Sequence, residues 1–202
     1  MLVLALLRAR AEIQANRHDF ESALADCEQA LQSHPDDLDG YLLRGRLLSQ
    51  LGRYAEAATG FQAGYAQTGS VVLRNQWIES LIDAGDCLQA VTEIETELAL
   101  TRWKSSWLIR RARARLCLSQ HSDATSDLRA AIEEMDARLN PRRPDVTLLA
   151  DRGLARALLG ELDRAREDLR EAQALGADAW VVERLQKTLE KIERDPENLP
   201  RR

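Results

Sequence analysis

Five alanines recur in one register along this chain, at Ala23, Ala57, Ala90, Ala124 and Ala165, with spacings of 34, 33, 34 and 41 residues. Thirteen residues before each stands Arg10, Arg44, Trp77, Arg111 or Arg152, followed by Ala11, Gly45, Ile78, Ala112 or Gly153. A period of this length without an alternating strand pattern predicts stacked helical hairpins, each burying its apolar face only when a neighbour covers it. The expected fold is therefore all-α. It is read as one array over residues 1–195, with repeats at about 3–36, 37–69, 70–103, 104–140 and 145–177, a capping helix at 178–194 and a mobile tail at 196–202.

Local signals mark the helix ends. Asp19 and Asp145 are placed to cap second and first helices of their repeats, Ser70 is expected to cap the third pair, and Pro35 stops the first. Gly52, Gly85 and Gly160 sit at the hairpin turns, where glycine relieves a strained backbone. The spacing of 41 is assigned to a longer second helix in the fourth repeat, with Leu128, Ile132, Met135 and Leu139 on one face, running into Asn140-Pro141-Arg142-Arg143-Pro144. On the last helix Val181, Val182, Leu185, Leu189 and Ile192 share a side, while Glu183 with Lys187 and Glu190 with Arg194 form exposed pairs four apart.

Charge and composition exclude several functions. A net charge of −5 gives no global field to attract nucleic acid or an anionic membrane, so neither is expected as a partner. His18, His34 and His121 lie in turns or at helix ends with no spacing that builds a triad or a metal site. The glycines fall singly, so no phosphate-cradling loop is present. No enzyme activity, cofactor or metal is expected. Cys27, Cys87 and Cys117 are odd in number and not paired for zinc, and read as packed thiols in a reducing compartment. The apolar stretch from Met1 to Leu7 lacks a basic leader region and runs into Arg8 and Arg10 in repeat register, so it reads as helix. With no run near the roughly 20 apolar residues that cross a bilayer, the expectation is a cytoplasmic protein. That first helix also starts without a cap, an arrangement that upstream sequence or a second copy would cover, so a homodimer through the N-terminal helix is one expectation.

The residues resemble the tetratricopeptide repeat. The second repeat carries the resemblance best, through Tyr41, Leu42, Leu43, Arg44, Gly45, Leu48, Leu51-Gly52-Arg53-Tyr54, Ala57 and Phe61. The first adds Phe20, Ala23, Ala30 and Pro35, and the fifth Gly153, Gly160, Ala165, Leu169 and Ala172. The third and fourth depart from it, with Trp77 and Ile78 in place of an arginine and a small residue, and Cys87 and His121 in place of an aromatic. The resemblance implies a right-handed superhelical solenoid whose concave groove, lined by first helices, binds a peptide or partner helix, as an adaptor or chaperone-like factor does. Its groove slots fall on Arg8, Glu12 and Asn16, then Leu42, Arg46 and Gln50, then Asn75, Glu79 and Asp83, then Ile109, Arg113 and Leu116. The alternatives are a self-assembling structural segment and the regulatory domain of a larger protein.

Two further patterns bear on the site. Arg10, Arg44, Arg111 and Arg152 recur together with Asp26, Glu93, Asp127 and Asp168, which predicts a repeating ion pair between helices that fixes their orientation. From Arg102 to Arg115 the chain is locally basic, and there Trp107 could anchor a partner while Arg110 and Arg113 grip a carboxylate or phosphate. The competing reading is a solvated face whose charge is neutralised by acids on neighbouring helices.

Overall fold

The computed structural model of the chain describes residues 2–140 and 142–194; the tail at 196–202 lies outside them. The described residues form eleven α-helices and no strand. They are α1 (Leu2–Asn16), α2 (Phe20–Ser33), α3 (Leu38–Gln50), α4 (Tyr54–Thr68), α5 (Val71–Ala84), α6 (Cys87–Leu100), α7 (Ser105–Cys117), α8 (His121–Arg138), α9 (Val146–Leu158), α10 (Leu162–Ala174) and α11 (Ala179–Arg194). The expected all-α class and the pairing of helices are what the structure shows. The helices group into two compact units, residues 1–90 and 91–202, with the boundary inside α6.

In the first unit α1 packs on α2, α2 on α3, α3 on α4 and α4 on α5, so each helix is held by its sequence neighbours. The repeated small residues make those crossings close. A Cβ built at Gly45 of α3 would run into the ring of Phe61 on α4, and one at Gly64 would lie 2.8 Å from the ring of Tyr41. Ala11, Ala23, Cys27, Leu43 and Leu47 form the core between α1, α2 and α3, with Phe20 and Ala15 packed against it. Burial pushes the Cys27 thiol up to about 11, with the negative charge of Asp26 adding to the effect. Cys27 is the packed free thiol expected. Cys87 and Cys117 are not free thiols, so the reading of three reduced cysteines is corrected, and the reducing compartment inferred from them loses its basis.

The second unit has a broader core. Ile109 and Ala112 of α7, Leu128, Ala131 and Met135 of α8, Leu148 and Leu154 of α9, Leu169 of α10, and Leu185, Leu189 and Ile192 of α11 are buried together. Its second helix α8 is 18 residues long, as the apolar face through Met135 and Leu139 predicts. Asp145 caps α9 by accepting from the backbone N–H of Thr147 at 2.9 Å and Leu148 at 3.1 Å. Asp19 caps α2 in the same way through Ser22, whereas Ser70 precedes α5 without a side-chain cap bond. Alpha helix α11 closes the unit on α9 and α10, with Glu183 pairing Lys187 and Glu190 pairing Arg194 on its outer side.

All five hairpin turns need one left-handed residue. Gly52, Gly85 and Gly160 supply it in three repeats, with φ between 72° and 84°. His18 and Ser119 occupy the same slot at φ 63° and 59°. In the first and fourth repeats a non-glycine residue therefore bears the strain.

Candidate functional site

Three of the predicted ion pairs, those to Asp26, Asp127 and Asp168, are present and extend further than the spacing implied. Asp26, Asp127 and Asp168 are buried on α2, α8 and α10. Arg10 donates to both oxygens of Asp26 at 2.5 Å, Arg111 to Asp127 at 2.7 and 2.9 Å, and Arg152 to Asp168 at 2.6 Å. In the fourth and fifth repeats a second arginine one turn on, Arg115 or Arg156, binds the same carboxylate at 2.7 or 2.9 Å. Sequence reasoning missed these second donors, although i and i+4 on one helix share a face. The second repeat has Gly60 where the acid would stand, and Arg44 packs over it.

First-helix arginines also reach back by the same distance in sequence. Arg44 pairs with Glu28 at 3.2 Å, Arg111 with Glu95 at 3.7 Å, and Arg152 with Asp136 at 2.6 Å. Each therefore ties a first helix to the second helix before it. The hydrogen bond to Asp127 is the largest influence holding the Arg111 guanidinium above its ordinary pKa, against the opposing effect of burial. These arginines are structural.

In the first unit a groove of about 680 Å³ lies along α1, α3 and α5. Arg8 and Glu12 enter it from α1, Leu42, Arg46 and Gln50 from α3, and Gln76 from α5, above a floor that includes Leu43 and Phe61. The structure thus brings together Arg8, Glu12, Leu42, Arg46 and Gln50 of the expected residues. Asp39, Ser49 and Gln76 also line it and were not foreseen. Gln76 stands one residue beyond the slot counted to Asn75, a step that helical periodicity alone could have covered.

The charges in this groove are not equivalent. Arg8 donates to Asp37 at 3.2 Å and Asp39 at 2.5 Å. Desolvation works against its charge, but the Asp39 hydrogen bond and the field of both carboxylates leave its pKa raised. Arg46 is exposed and has no ion-pair partner among the described residues. Arg8 is a strut between α1 and α3, and Arg46 is the cation the groove offers.

The other expected residues lie elsewhere. Asn16 is exposed at the end of α1 and does not line the groove, and neither do Asn75, Glu79 or Asp83 on α5. On α7, Ile109 is 3 % exposed inside the core of the second unit, Leu116 packs against that core, and Trp107 is also buried. These three side chains are core rather than surface anchors. Arg110 is half-buried with its guanidinium carbon 4.9 Å from the centre of the Trp107 ring, and Arg113 is half-buried. Of the remaining basic residues, Arg111 and Arg115 are neutralised by Asp127, and Glu134 accepts from the backbone N–H of Lys104 and Ser105. The basic run is largely a paired face.

Helical hairpins of about 34 residues, closed by small residues at their crossings and opening a groove along their first helices, define a class of repeat proteins. A tetratricopeptide repeat model matches residues 14–68. Solved structures agree at the level of fold. A tetratricopeptide repeat protein from Parabacteroides merdae has 21 % identity and a TM-score of 0.60, over 93 % of this chain and 71 % of its own. A thermophilic TPR protein from Thermus thermophilus has 15 % identity and a TM-score of 0.59, over 92 % and 98 %. MamA from Desulfovibrio magneticus has 16 % identity and a TM-score of 0.55, over 86 % and 94 %. No curated protein matches the sequence. The resemblance to tetratricopeptide repeats thus holds in sequence over residues 14–68 and in fold over nearly the whole chain. No helix among the described residues is long and apolar enough to cross a membrane.

Proposed function

We propose that this chain is a protein-interaction module whose first-unit groove takes an extended peptide or a helix of a partner, in an adaptor or chaperone-like role. The observation that carries the reading is the convergence of three successive first helices on one groove, where Arg46 is unpaired beside the apolar Leu42 and the amides of Gln50 and Gln76. A cation, an apolar ledge and two amides suit a segment that carries a carboxylate and a hydrophobic side chain. Glu12 on the facing helix gives the groove a second polarity, which would fix the direction in which a peptide lies.

The test is capture from lysate of the source cell by the full chain and by its Arg46→Glu variant. Arg46 is exposed and makes no ion pair among the described residues, so helicity by circular dichroism is expected to be unchanged. Loss of an acidic partner from the variant supports the groove. Capture of the same proteins by both forms refutes it.

A further inference from the structure

Along α1, Val3, Leu6, Arg10 and Ile13 are spaced three, four and three apart and form one stripe, on the side of the helix away from Arg8 and Glu12. Val3 is 63 % exposed, Leu6 60 % and Ile13 53 %. In later repeats the same slots are closed. Leu6 corresponds to Gly40, Leu73 and Leu148, and Ile13 to Leu47, Ser80 and Ala155, all of them buried. What closes them is also visible. A Cβ at Gly40 would lie 3.0 Å from Leu31 of α2, and one at Gly64 of α4 would lie 2.9 Å from Leu73. In each case the cover is the second helix of the preceding repeat, and α8 packs on α9 likewise. Among the described residues α1 has no such neighbour.

Charge repeats the same message. Arg44, Arg111 and Arg152 each reach back to an acid on the second helix before them, and their side chains are 21 %, 19 % and 16 % exposed. Arg10 holds the same slot, binds only forward to Asp26 among the described residues, and is 59 % exposed. We infer that the outer stripe of α1 is a docking site for an amphipathic helix of a partner protein, seated as the second helix of a preceding repeat would be. That helix carries an Asp or Glu opposite Arg10 and apolar residues over Leu6 and Ile13. A second copy joined α1 to α1 fits this stripe poorly. It would set Arg10 against Arg10, and Glu12, the single acid on α1, lies on the groove side.

The α8 segment, residues 121–138, already performs this role on α9, with Asp136 meeting Arg152. A capped, fluorescently labelled peptide of that segment is therefore the probe, titrated with the full chain and followed by anisotropy. The expected result is saturable binding with a Kd below about 1 mM, weakened about tenfold by Ile13→Glu in the protein or by Asp136→Arg in the peptide. The groove variant Arg46→Glu should bind it unchanged, which separates this face from the groove. Ile13 and Val3 are exposed, so Ile13→Glu and Val3→Glu should keep the fold, with circular dichroism as the check; should the first unfold, the second carries the test. Absence of binding up to about 1 mM, or binding indifferent to both variants, overturns the inference. So does light scattering that shows a dimer dissociated by Ile13→Glu, because a second copy would then occupy the face.

Discussion

The second and fifth repeats build the same helical pair from different chemistry. In the second, Arg44 lies over Gly60, Leu48 is fully buried one turn later, and the crossing is made by the Phe61 ring against Gly45. In the fifth the corresponding residues are Arg152, Asp168, Arg156, Leu169 and Gly153, and a buried carboxylate is held between two arginines. The replacements go together. Where the acid is absent the second arginine is leucine, so neither a charge nor a cavity is left without a partner. The same hairpin is thus built around either a packed or an ionic centre.

The largest effect is expected of Asp168→Ala. It would leave Arg152 and Arg156 in the fifth repeat with Asp136 as their one remaining acid among the described residues, and we expect a loss of about 3–5 kcal/mol in urea unfolding. Next comes Gly45→Ala in the second repeat, expected to cost about 1–3 kcal/mol because the new Cβ meets the Phe61 ring. Adding Phe61→Leu should recover most of that loss, since the fourth repeat joins Ala112 to Leu128 in the same slots. A cost that survives in the double variant would show that the ring is not what excludes the methyl group.

Smaller effects sharpen the contrast. Asp37 and Asp145 precede α3 and α9 in equivalent positions, yet only Asp145 caps its helix, because the Asp37 carboxylate is bound by Arg8 instead. Asp145→Ala should cost about 1 kcal/mol of unfolding free energy. Asp37→Ala should act on the groove by leaving Arg8 held by Asp39 alone, and peptide affinity is where it would register. Least of all, Glu28→Gln removes the exposed partner of Arg44 and should change stability by less than about 1 kcal/mol.

Much of this architecture is legible in the sequence. The repeat limits fall within three residues of the observed helix ends, because Pro35, Gly52, Gly85, Asp145 and Gly160 impose backbone geometry that neighbouring packing does not override. The buried Asp26, Asp127 and Asp168 were legible because their distance from Arg10, Arg111 and Arg152 repeats. The groove was harder. Counting from Arg8 through successive repeats reaches Leu42, Asn75 and Ile109, a slot on the shoulder between groove and core. A long charged side chain there extends into the groove, whereas Ile109 turns inward and is buried. Trp107 and Arg115 were read as surface for a related reason. A basic run in sequence does not reveal that Asp127 on α8 lies opposite it.

The arginine that reaches sixteen residues forward and sixteen back has a bearing on how such a chain can lengthen. A duplicated segment that carries the cation with both acids would bring its own fastening to the copy beside it, in register at either junction. Growth by whole repeats would then require no new pairing to be found, while insertion of a partial repeat would leave one carboxylate or one guanidinium stranded at the seam.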